Sequence, residues 1–147
     1  MAQVNYFFED VKKCPQELPN KLWIKQCFEK EAKSLGCINF IFCSDVYLQK
    51  INKKYLNKSY FTDVISFKHN VHDIKNHEKS DVIFGDVFIS LERVDDNKSR
   101  YKTIFAEELK RVMVHGALHL MGYHDSTETE KAIMTKKENT YINLKQF

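Results

Sequence analysis

TDVISF (Thr62–Phe67) and VIFGDVFIS (Val82–Ser90) are two β-rich apolar runs separated by the polar stretch from Lys68 to Asp81. No helical pattern intervenes, so the two runs are expected to pair antiparallel across a loop. Upstream, Gln3–Phe8 alternates as a strand, and INFIFC (Ile38–Cys43) reads as a short buried strand. Between them Leu22, Trp23, Cys27, Phe28, Ala32 and Leu35 recur at helical spacing, predicting a helix from Asn20 to Leu35 that Gly36 stops. Ser44 or Asp45 caps a second helix, whose apolar face is Val46 or Tyr47, Ile51 and Tyr55. Downstream, one long helix is expected from about Ser99 to Met121, ended by Gly122. Thr127, with Glu130 three residues later, makes a capping box for a last helix through Glu138 or beyond. The order is β-α-β-α-β-β-α-α. This predicts the α/β (α+β) class, with a single mixed four-stranded sheet packed with helices. No composition shift marks a boundary, so residues 1–147 read as one domain.

The composition supports a packed interior. Apolar residues make up 43% and aromatics 13%, which argues against disorder, and four Gly with two Pro argue against a loop-dominated scaffold. The opening MAQVNYFFEDVKK has no signal-peptide organisation, and no apolar run approaches the roughly 20 residues of a membrane span. A cytoplasmic protein without membrane attachment is expected. Cys14, Cys27, Cys37 and Cys43 form no C-x-x-C pair and read as free thiols. The net charge of +3 predicts no nucleic-acid partner by itself. Lys53, Lys54 and Lys58 cluster, as do Lys98, Arg100, Lys102, Lys110 and Arg111; solvated helix faces would account for both groups.

The chemistry concentrates in HGALHLMGYHD (His115–Asp125). His115 and His119 are four residues apart, which stacks two imidazoles about 6 Å apart on one helix face, within reach of one metal ion. Gly122 can take a left-handed conformation, end the helix and fold the chain back. By spacing, the third ligand is Asp125; His124, a good zinc ligand one residue earlier, is the alternative. One zinc ion per chain is the expected cofactor. The spacing is that of a metzincin-like metal helix, H-E-x-x-H-x-x-G-x-x-H, with two changes. Gly116 stands where those proteases carry their general-base glutamate, which argues against peptide hydrolysis, and Asp125 stands at the third histidine. His69, His72 and His77 lie in the polar loop and read as solvated.

The sequence resembles the YbeY family of bacterial rRNA maturation factors. HGALHLMGY (His115–Tyr123) matches the family's H-G-x-L-H-L-x-G-Y signature. INKKY (Ile51–Tyr55) answers its L-N-x-x-Y, TDVISF its T-D-V-L-S-F and GDVFIS (Gly85–Ser90) its G-D-I-x-I-S, while Met134 and Glu138 match the closing helix. The resemblance implies a zinc-dependent, single-strand-specific endoribonuclease acting in 16S rRNA 3′-end maturation and ribosome quality control. Its partners would be single-stranded RNA or rRNA, and the ribosomal small subunit with its proteins. The family's arginine after L-N-x-x-Y is Leu56 here, so either Lys58, Arg93 or Lys68 substitutes or the activity is weaker or different. Ser66, Lys58 and Arg93 are the candidate catalytic residues; Thr62, Asp63, Ser66, Lys58 and Arg93 are the candidates for substrate binding. Thr62 and Asp63 could equally cap the strand end, and Asp86 is similarly ambiguous. Two other readings stand beside this one: a metzincin-like metallopeptidase, which Gly116 opposes, and a ribosome-associated RNA-binding factor with a structural zinc, which Leu56 keeps open.

Overall fold

A computed structural model of the protein describes residues 2–60, 62–69 and 81–144. Its elements are β1 (Gln3–Phe8), α1 (Lys21–Lys30), β2 (Ser34–Cys43), α2 (Asp45–Leu56), β3 (Val64–Lys68), β4 (Val82–Ser90), α3 (Leu91–Arg100), α4 (Phe105–Leu120) and α5 (Glu128–Ile142). The strands form one mixed sheet in the order β1-β2-β4-β3. β1 and β4 both run parallel to β2, and β3 runs antiparallel to β4, as the two apolar runs predicted.

Side-chain alternation along the strands divides the apolar residues between the two faces. Phe40, Phe42, Val87 and Ile89 join Trp23, Leu109, Met113 and Met134 in the main core, beneath α1, α4 and α5. Ile65, Cys43 and Leu48 form a smaller cluster under α2, with Phe67 and Phe88 at its edge.

Three expectations shift. The first helix ends at Lys30, well before Gly36. Ala32 takes the left-handed conformation (φ 55°), and the Lys33 and Ala32 amides donate to the carbonyls of Phe28 and Glu29, a Schellman closure without glycine. Gly36 lies inside β2 instead, where a Cβ would come within 2.4 Å of the Phe84 ring. The long helix expected from Ser99 begins only at Phe105, and a separate helix, α3, fills Leu91–Arg100, where the sequence pattern predicts no element. Ser90 caps α3, its hydroxyl accepting from the Arg93 amide at 3.1 Å, and Lys102 closes it at φ 55°, with the Thr103 amide on the Lys98 carbonyl. One helix is therefore added to the expected order. On α2, Tyr47 and Ile51 pack against the smaller cluster as one of the expected faces has it, but the fully buried residues are Leu48 and Asn52, and Val46 and Tyr55 are exposed.

The caps around the histidine motif follow the reading. Gly122 adopts φ 108°, and the Tyr123 and Gly122 amides close α4 on the carbonyls of Leu118 and His119. Thr127 and Glu130 form the full capping box. Among the described residues, no helix is long and apolar enough to cross a membrane.

Candidate metal centre

Helix α4 crosses the β3–β4 end of the sheet at close range. A Cβ on Gly116 would lie 2.5 Å from Val87 Cγ1 and 3.1 Å from Ser66 Oγ. The Ser66 hydroxyl donates to the Gly116 carbonyl at 2.9 Å, tying strand to helix at the same point. A side chain at position 116 would have to displace Val87, so the close approach of helix and sheet favours glycine where the proteases carry glutamate.

His115, just before Gly116, and His119, about one turn after it, project into a cleft. Their Nε2 atoms are 3.0 Å apart, and Asp125 Oδ2 lies 3.3 Å from the first and 3.6 Å from the second. Tetrahedral ligands about 2.0 Å from a zinc ion are themselves separated by about 3.3 Å, so the spacing matches one shared ion. His115, His119 and Asp125 are the one such group of metal-ligating side chains among the described residues, and His124 is exposed and outside it.

The remaining ring nitrogens set the tautomers. His119 Nδ1 lies 2.9 Å from the Tyr123 carbonyl and His115 Nδ1 lies 2.6 Å from Glu138 Oε2. Both partners accept, so each Nδ1 donates and each Nε2 turns its lone pair toward the other two ligand atoms. Three electron-rich atoms facing one another require a proton or a cation between them. Burial pulls the His115 pKa down, but the hydrogen bond and charge of Glu138, with Asp125 and Asp63, outweigh it and hold the value above the ordinary one. His119 is held below, by burial and by the His115 charge.

Several supports carry little or no signal in the sequence. Arg111 donates to Glu138 at 3.0 Å and to Asn139 at 2.7 Å, bracing the carboxylate that orients His115. Glu31 receives hydrogen bonds from Tyr123 at 2.5 Å, from Lys137 at 3.0 Å and from Tyr141, pinning the turn that carries Asp125. Glu108 is buried, only 3% exposed, and faces a second cleft of about 840 Å³ that also reaches His115 and Asp125. Burial, then the nearby Asp63 charge, pushes its pKa up to about 7 against the opposing pull of Arg111. Glu138 has only its place in the closing helix to mark it, and the signal for Tyr123 is its place in the signature. Glu108, Arg111 and Glu31 carry no local signal, because their roles are set by contacts between elements.

The other candidates separate into two groups. Lys58, Thr62, Asp63 and Ser66 line a cleft of about 450 Å³ together with His115, His119 and Asp125. Leu56 lies on the same wall, where the arginine was expected. Asp63 accepts from Asn97 Nδ2 at 3.3 Å, and burial raises its pKa against the pull of His115. Arg93 is outside this lining; its guanidinium holds Asp45 at 2.7 Å and Asp96 at 3.2 Å. Lys68 is exposed at the end of β3. Asp86 sits away from the cleft, accepting from Asn39 and paired with His69 at 3.0 Å. His72 and His77 lie outside the described residues.

Fold and site together define a class: a single-sheet α/β protein in which one helix carries two imidazoles, and the turn after it a facing carboxylate, into an open cleft. The family description "Endoribonuclease YbeY" matches residues 7–146, and the chain belongs to that family. It is 45% identical over 139 residues to an endoribonuclease YbeY of Karelsulcia muelleri, covering 95% of this chain and 93% of that one. With the endoribonuclease YbeY of Christiangramia forsetii it shares 41% over 143 residues, covering 97% and 94%. The solution structure of TM1509 from Thermotoga maritima has the same fold, with a TM-score of 0.60 at 21% identity over 95% of this chain and 86% of that one.

Proposed function

We propose that this protein is a cytoplasmic, metal-dependent, single-strand-specific endoribonuclease. Its substrate would be the 3′ end of 16S rRNA in ribosome maturation and quality control, met on the small subunit with its proteins. The observation that carries the proposal is the convergence of His115 Nε2, His119 Nε2 and Asp125 Oδ2 within 3.0–3.6 Å at the head of an open cleft. Membership of a family of endoribonucleases adds to it. The whole chain would act as one domain holding one zinc ion.

His115, His119 and Asp125 would hold the ion, with Glu138 and the Tyr123 carbonyl aiming the two imidazoles. Zinc bound there supplies Lewis acidity at neutral pH for phosphodiester hydrolysis. Lys58 is the candidate to meet the scissile phosphate, because it shares the cleft while the Arg93 guanidinium is engaged by two carboxylates. Ser66 would position α4 through Gly116 rather than touch the substrate. Thr62 and Asp63 would border the strand's path, Asp63 bridging to α3 through Asn97.

Incubation of the pure protein with single-stranded RNA and with casein, with and without a chelator, tests the reading. RNA cleavage that the chelator abolishes and that His119→Ala lacks supports it. Casein cleavage would point to a peptidase. Metal binding without either activity would leave a ribosome-associated factor with a structural zinc.

A further inference from the structure

The stretch Lys53–Tyr60 forms one lip of the cleft, and all eight of its side chains are exposed. Tyr60 is 58% exposed and Leu56 44%. An exposed aromatic on a loose loop would be unremarkable, but the backbone here is held from below. Asn57 turns the chain at φ 54°, and the buried Asn52 donates its amide to the Tyr60 carbonyl at 3.1 Å. Gln49 donates to the Ser59 carbonyl at 2.7 Å, and the Lys58 amide to the Asn52 carbonyl at 3.3 Å. The ring is thus exposed on an anchored turn, and ordering it on binding costs little conformational entropy.

Charge says what would cover it. Lys58 Nζ lies 5.8 Å from the Tyr60 ring centroid and Lys54 Nζ lies 5.1 Å from that of Tyr55, with Lys53 adjacent on α2. Lysine is depleted at the centre of protein–protein interfaces. Aromatic rings interleaved with lysines are what single-stranded nucleic acid requires, since every base has a π-face and every nucleotide a phosphate.

We propose that Tyr60 is a stacking subsite for one unpaired nucleobase of the RNA strand whose backbone passes the metal centre, with Lys58 meeting that nucleotide's phosphate. The inference rests on the nuclease reading and specifies how that site chooses its substrate. A base inside a duplex has no free face, so the subsite favours single strands. It also gives Leu56 a neighbour that supplies binding where the guanidinium is lacking.

The test uses the zinc-loaded full chain and short single-stranded RNAs, intact or with an abasic nucleotide moved stepwise along the strand. Stacking is worth roughly 1–3 kcal/mol per base, so Tyr60→Ala should raise KM roughly 5- to 150-fold with kcat little changed, and Tyr60→Phe should keep the parent value. At one abasic position the parent should lose affinity and Tyr60→Ala should lose no more. Equal losses for Tyr60→Ala on intact strands and on every abasic strand, or an unchanged KM, would overturn the subsite while leaving the nuclease reading intact. A parent protein that neither binds nor cleaves RNA would overturn both. Matching melting curves establish that the variants are folded.

Discussion

Asp125 and His124 are neighbours with different surroundings. The turn after Gly122 directs Asp125 Oδ2 at the two Nε2 atoms, whereas His124 is exposed outside the cluster. Zinc titration against a competing chelator should therefore show a large loss of affinity for Asp125→Ala and little for His124→Ala. Glu138→Gln keeps the shape but removes the charge that His115 Nδ1 faces, and should weaken binding roughly 10- to 100-fold by the same measurement. Glu108 gives a pH signature. Its folded-state pKa, about 7, stands above the ordinary 4.5, so the folded protein binds the extra proton between those values. Stability contributed by the neutral carboxyl is present below pH 4.5 and is lost as pH rises toward 7. Burial and the charges of Asp63, Glu138 and Glu107 drive the loss, and Arg111 moderates it. Melting temperatures across pH 4 to 8 should fall less steeply for Glu108→Gln than for the parent; parallel curves would show that Glu108 is not the group responsible.

Helix α4 works as a rigid mount because both its contacts and its end are specified. Gly116 lets it approach β3 and β4. Gly122 ends it in open space, with nothing within 4 Å of where a Cβ would stand, so any substitution there meets backbone strain alone. Gly122→Ala should destabilise the protein by about 1–3 kcal/mol, and the same change should loosen zinc by displacing Asp125. Gly116→Ala should cost about 1–3 kcal/mol through overpacking against Val87. Denaturant unfolding measures both, and only the first should lower metal affinity more than stability requires. The two glycines read differently in the sequence, Gly116 as a missing catalytic residue and Gly122 as a helix stop. The helix stop is a local role and was legible. The packing role of Gly116 depends on how near another element comes, and no pattern along one helix records that distance.

The candidate centre joins distant parts of the chain: α4 supplies two of its side chains, the turn beyond it the third, α5 the carboxylate behind His115, and α1 is followed by the Glu31 that anchors Tyr123. Metal bound only by the folded form should stabilise the whole molecule. At a free zinc concentration 100 times Kd the gain is about 2.7 kcal/mol. A chelator should lower Tm in the parent and leave His119→Ala nearly unmoved, as calorimetry would show.

By itself the sequence determined the strand pair, the capping box, the end of α4 and the His115, His119, Asp125 spacing, because each depends on residues near one another in the chain. Helix ends at Ala32 and Lys102 escaped it, since neither residue announces a left-handed conformation and the closing bonds come from the surrounding turn. The separate helix α3 and the start of α4 at Phe105 escaped for the same reason. Tertiary structure alone decided that Arg93 pairs with Asp45, that the Ser66 hydroxyl donates to the Gly116 carbonyl, and that Glu31, Arg111 and Glu138 brace the residues around the candidate centre. It also decided that Tyr60 faces the cleft. These depend on contacts between residues up to 110 positions apart, such as Glu31 with Tyr141, and long-range contact leaves no period in the chain to read.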